Sequence, residues 1–227
     1  TSDHGPVIIP GDSENSILIQ KLGDEPPFGN QMPDNGPYLD AETIALIATW
    51  IDEGANAVPV VDVTGLFFSE YGEPDGGNHK YLEIYNGTGD VVSLDDVVIL
   101  GNYNGNPWSE TFTFQAGATV AAGDVYIVAN SEADEAILAL ADETHAYGDP
   151  WYITSFNGDD VRALAQINGT DTTIIGIIGT LDGGDPGSGW DVAGVTNGTQ
   201  NHVLVRKSTV TVGNSGNWTS SSGTTED

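Results

Sequence analysis

From residue 66 onward, apolar and polar positions alternate with the two-residue period of half-buried strands. LFFSEYGE reads as a strand with Leu66 and Phe68 on one face and Phe67 on the other. In KYLEIYNGTGD, Tyr81, Glu83 and Tyr85 alternate with Leu82 and Ile84, and Asn86-Gly87 turns the chain. DDVVILGNYNG, ETFTFQAG, DVYIVAN, DVRALAQING, TTIIGIIGT and NHVLVRKSTV follow as further strands. Many short strands separated by frequent turn signals suit a β-sandwich. One helix interrupts them: Ser131 is placed to cap EADEAILALAD, with Asp134 at the capping-box position and Ala133, Ile137 and Leu140 inward.

The period is helical upstream. In PGDSENSILIQKLG, Pro10-Gly11 turns, Asp12 or Ser13 caps, and Ile17, Leu18 and Leu22 form an apolar face closed by Gly23. GDEPPFGNQMPDNGP holds too much Pro, Gly and Asn for regular structure. Asp40 then caps a second helix that Gly54 ends. Glu42 lies in its first turn; Ile44, Ile47 and Ile51 share one face, flanked by Leu46 and Trp50. Two short helices bury little surface alone, so this face must pack on something else. The division expected is a helical segment 1–57, a linker 58–65, a β-sandwich 66–218 and a loose polar tail 219–227.

Composition narrows the function. Lys and Arg number 5 against 34 Asp and Glu, a net charge of −29. Such a surface repels nucleic-acid phosphates and anionic lipid, attracts cations and suits a saline or extracellular setting. The absence of cysteine removes disulfides, zinc–thiolate sites, iron–sulfur clusters and CxxCH haem attachment. No run of about 18 apolar residues offers a membrane span. No signal peptide is visible, so Thr1 reads as a processed or trimmed start.

Candidate chemistry is sparse. GxSxG, HExxH and P-loop patterns do not occur, and His4, His79, His145 and His202 are scattered. Asp182, Asp185 and Asp191 share the Gly-rich LDGGDPGSGWDV and are candidate Ca²⁺ ligands without EF-hand spacing; Asp75, Asn78 and Glu83 form a weaker set. Asp159 and Asp160 of FNGDDV suit a turn in which carboxylates accept backbone amides. Glu70 and Glu83 are expected near Lys80 or Arg206 if the first two strands pair. Arg162, Arg206 and Lys207 are the bases that could dock an acidic neighbour. Asn86, Asn168, Asn197 and Asn217 open N-x-Ser/Thr sequons, which also make good turns.

Two resemblances complete the reading. LFFSEYGE…NHKYLEIYNGTGDVVSL, AAGDVYIVAN, FNGDDVRALAQ, IIGIIG and GSGWDVAGVTNGTQNHVLVRKSTV, within 66–218, resemble the lamin-tail domain of secreted bacterial proteins. That implies an immunoglobulin-like sandwich serving attachment or interaction rather than catalysis. GPVIIPGDSENSILIQKL and MPDNGPYLDAETIALIATWIDEGA, within 5–57, resemble the C-terminal half of a cytochrome c-like domain without its CxxCH half. That implies Met32 as an axial haem ligand, in an alternative reading as an electron carrier. The leading expectation is a mainly β, secreted or cell-surface, non-catalytic structural module. It would need no cofactor unless calcium. Its partner would be itself, as a filament, tube or surface-layer subunit through Ile44, Ile47, Trp50, Ile51, Arg206 and Lys207, or another surface protein.

Overall fold

The computed structural model describes residues 4–55, 63–146, 152–181 and 184–224. The chain divides into two compact units, Thr1–Val61 and Asp62–Asp227. The linker expected at 58–65 lies mostly outside the described residues.

In the first unit, the short helix α1 spans Ile17–Leu22 and α2 spans Ala41–Asp52. α1 starts later than Asp12 or Ser13 because both are committed elsewhere. Asp12 accepts from Asn15, while Ser13 donates its backbone N–H (2.7 Å) and its hydroxyl (2.9 Å) to the Asp52 carboxylate at the end of α2. Ser16 stands at the N-cap position, fully buried, and its hydroxyl donates to Asp12 O at 2.8 Å. Asp40 caps α2 as the sequence predicts, accepting from Thr43 N at 2.7 Å. This bond holds its carboxyl below the usual carboxylate range. Gly11 N donates to Ile51 O, and Ile51 is buried completely.

The second unit is a mainly β, immunoglobulin-like sandwich. Its larger sheet runs β11–β1–β2–β7–β8, with β1 Leu66–Glu73, β2 Tyr81–Asn86, β7 Val125–Asn130, β8 Glu143–His145 and β11 His202–Val205. The smaller runs β10–β9–β4–β5, with β4 Val97–Gly101, β5 Glu110–Thr113, β9 Arg162–Asn168 and β10 Asp171–Ile178. A short ribbon pairs β3 Val92–Ser93 with β6 Thr119–Val120. Cross-strand partners build the core. Leu82 lies opposite Tyr71 and Val128, Ile99 lies opposite Phe112 and Leu164, and all six are buried.

Three sequence expectations change here. A register shift between Phe68 and Glu70 breaks the alternation of β1, so Leu66, Phe67 and Phe68 are all buried. The helix near 131–142 shrinks to one turn, α3, Glu135–Leu138; Asp134 takes its N-cap position and Leu140 is 70% exposed rather than inward. The chain leaves that turn to rejoin the sheet: Asp142 N donates to Ile127 O, and Ile127 N donates back to the Asp142 carboxylate. β8 then pairs parallel to β7. A single 3₁₀ turn, Trp218–Ser220, buries Trp218 in the core cluster. Where looseness is expected from residue 219, Ser222 O accepts from Ala193 N at 2.7 Å.

Candidate functional site

Several buried ionisable groups of the sandwich gather around the start of β9. Arg162, its first residue, is fully buried. The guanidinium donates from Nε to Ile153 O (2.8 Å), from Nη1 to Asn102 O (3.0 Å) and Val161 O (2.9 Å), and from Nη2 to Tyr152 O (3.3 Å). It lies 5.5 Å from the Tyr103 ring centre and 5.4 Å from that of Phe156. Gly101, its cross-strand partner, leaves it room: a Cβ there would come within 3.3 Å of Nη1. Arg162 is therefore not a docking base on the surface, as the sequence suggested, but a tie between two loops, 102–109 and 152–161.

Beside it lies a second buried cation. Lys80 Nζ sits 3.2 Å from Glu73 Oε1 and donates to Phe156 O; the other Glu73 oxygen accepts from Asn201 N. Glu70 and Glu83, the partners expected for Lys80, instead face each other across β1 and β2 and are held by hydroxyls: Tyr81 OH donates to Glu70 and Ser69 Oγ to Glu83, each at 2.7 Å. Partial burial, followed by the facing Glu70 charge, raises the Glu83 carboxyl above its ordinary value, while the Ser69 bond opposes this.

Asp159 and Asp160 do accept amides. Asn104 N donates to Asp160 Oδ1 at 3.2 Å, and the Asn157 side-chain amide, turned with its nitrogen toward the pair, donates to both carboxylates. Burial outweighs the nearby Arg162 charge and, with Asp159, pushes Asp160 up to about 6. Glu110 is nine-tenths buried and accepts from Tyr103 OH (2.7 Å) and Tyr152 N (3.0 Å). These bonds hold loops in place; none sets a nucleophile against a base.

The remaining candidates are dispersed. Met32 is 45% exposed, in a loop pinned by Met32 N to Lys21 O; a residue so exposed is not enclosed as an axial ligand is, and the described residues do not fit a haem pocket. On α2, Ile44 and Ile47 are half-buried and Trp50 lies at the surface. Asp182 lies outside the described residues. Asp185 and Asp191 each accept a backbone amide, from Gly187 and Asn197. Among the described residues, no three His, Asp or Glu side chains gather as a metal site requires. Asn78 bonds Glu132 and Glu83 bonds Ser69, so the weaker set with Asp75 does not converge. Asn86 is buried with its amide donating to Asp90 O and Val120 O, which removes it as a glycan acceptor.

Arg206 and Lys207 follow β11, the outermost strand of the larger sheet. Arg206 N donates to Ser69 O and its Nε to Phe68 O, while Lys207 is exposed. On β11 itself, Val203 is 46% and Val205 64% exposed.

Residues 62–179, more than half of the chain, match the lamin tail domain. The chain belongs to the lamin tail domain family. No curated protein matches it. The lamin tail match ends just after β10, and the structure carries the sandwich further. β11 pairs with β1 from Glu70–Val205 to Glu73–His202, and Trp218 joins the core cluster. The immunoglobulin-like form of a lamin tail domain agrees with a non-catalytic structural or interaction role. No described helix is long and apolar enough to cross a membrane.

Proposed function

We propose that this protein is a secreted or cell-surface structural module that associates with copies of itself through the rim of its larger sheet. The observation that carries this reading is β11. It is an edge strand with two exposed valines, leading directly into Arg206 and Lys207 on a chain of net charge −29. An edge strand offers unpaired backbone groups to an added strand, and natural sheets usually blunt such rims with charge. Here the two bases stand beside the strand and meet an acidic partner surface, favouring association once salt screens the general repulsion.

Light scattering on sized protein tests this across concentration and ionic strength. We expect the average mass to rise with both, and a Val203→Lys, Val205→Lys pair to hold the protein monomeric at an unchanged melting temperature. A monomer under all conditions overturns the self-association. Fractionation of the native source, with the protein in the cell interior, overturns the extracellular placement.

A further inference from the structure

A cleft of about 420 Å³ opens between the two loops that Arg162 ties together. Tyr103, Asn104, Tyr152, Ser155, Asn157 and Asp160 line it. Its volume falls within the range of small-molecule sites, about 300–1,000 Å³.

The walls are built in advance of any ligand. The Tyr103 and Tyr152 rings meet edge to face, with centres 6.0 Å apart. The Tyr103 hydroxyl is bound to Glu110, which also receives Tyr152 N, so one buried carboxylate fixes both aromatic residues. Behind them Arg162 holds Tyr152 O and Asn102 O. Rigid walls lower the ordering cost of binding.

The polar groups on the lining are of mixed character. Asp160 contributes a carboxylate that already accepts from Asn104 N, Asn157 offers its amide oxygen because its nitrogen is turned to Asp159 and Asp160, and Ser155 carries a hydroxyl whose oxygen is shielded from solvent and has no hydrogen-bond partner among the described residues. A shielded hydroxyl without a partner is unfavourable, and turning it toward the cleft would let a ligand hydroxyl satisfy it. Charge then selects the ligand. An anion meets Asp160 and a chain of net charge −29. A cation is drawn by that charge but finds the Tyr103 ring already occupied by the Arg162 guanidinium, 5.5 Å from its centre. What remains is a neutral molecule with an apolar C–H face for the rings and adjacent hydroxyls for the Asp, Asn and Ser groups.

We propose that this cleft binds a neutral glycan, seating one or two sugar rings against Tyr103 and Tyr152 while adjacent hydroxyls bond to Ser155, Asn157 and Asp160. This site is separate from β11 and does not depend on self-association.

Binding is tested with the full chain by isothermal titration calorimetry against hexaoses of glucose (β-1,4 and β-1,3), N-acetylglucosamine, xylose and mannose, with tetramethylammonium as a cation control. We expect at least one hexaose to bind with a dissociation constant below about 1 mM, the range where weak specific binding begins. Tyr152→Ala and Asn157→Ala should each weaken it at least tenfold while the melting temperature stays within a few degrees; Val205→Ala should leave it unchanged. Asn157→Asp, which keeps the shape but adds charge, should weaken it as well. Failure of every hexaose to bind at 5 mM (a concentration about five times that limit) overturns the proposal. So does glycan binding that survives both alanine variants, and so does binding of tetramethylammonium in place of the sugars.

Discussion

Replacing Arg162 by Leu would take the guanidinium from four backbone carbonyls; Val161 O and Tyr152 O keep the amides of Asn102 and Ser155, while Ile153 O and Asn102 O lose the donor described for them. Unsatisfied buried acceptors and a broken buried charge network cost about 3–5 kcal/mol. We expect a fall of that size in urea-denaturation stability, with Arg162→Lys recovering little because an ammonium cannot reproduce the planar fork. A loss below about 1 kcal/mol would show that the loops are held by other contacts. Asp160 acts at the same place through pH. Its carboxyl titrates near 6 when folded and near its ordinary acidic value when unfolded, so between about pH 4 and 6 the folded state binds more protons. Stability from this group is therefore present at low pH and lost as pH rises through 6. Asp159 and Glu83, also raised, act in the same sense. We expect the urea midpoint to fall from pH 5 to pH 7 and Asp160→Asn to flatten that dependence by about 1–2 kcal/mol. A wild-type midpoint that climbs over this interval would contradict it.

Among the elements, the sequence speaks most clearly where one face of a strand is wet. β2 alternates half-buried and buried positions without exception, and the order of its residues alone makes that pattern legible. β1 is less so, since a register shift turns its apolar run to both sides. β8 escapes notice because three residues, Glu143, Thr144 and His145, carry no periodicity. The pairing of charges is hidden for a related reason. Spacing along β1 does not give register, so Glu73 rather than Glu70 or Glu83 meets Lys80. The cleft is hidden as well: Tyr103 and Tyr152 lie in NYNGN and WYITS, loops that look like ordinary turns until Arg162 draws them together. The β1–β2 pair carries its own test. A Cβ at Gly72 would stand 2.2 Å from the Tyr81 ring, which cannot swing aside freely because its hydroxyl is bound to Glu70. We expect Gly72→Ala to cost about 1–3 kcal/mol by thermal or chemical unfolding, and a neutral result would mean that the ring yields. Trp218→Ala removes a core side chain contributed from beyond β11, and we expect about 3–5 kcal/mol there.

For the whole molecule, the distribution of its five bases matters more than their number. Lys80 and Arg162 are interior, and Lys21 is half-buried with its ammonium turned to the carbonyls of Phe28 and Asn30. The wetter pair, Arg206 and Lys207, sits side by side just past β11. A protease that cuts after Lys or Arg therefore finds few bonds to attack while the fold persists, because cleavage needs an extended, accessible chain. Digestion should begin at 206–207 and clip the chain into a long N-terminal piece and a short remainder that still carries Trp218. The scarcity of bases that makes the chain so acidic thus also makes it durable among enzymes that hunt for positive charge.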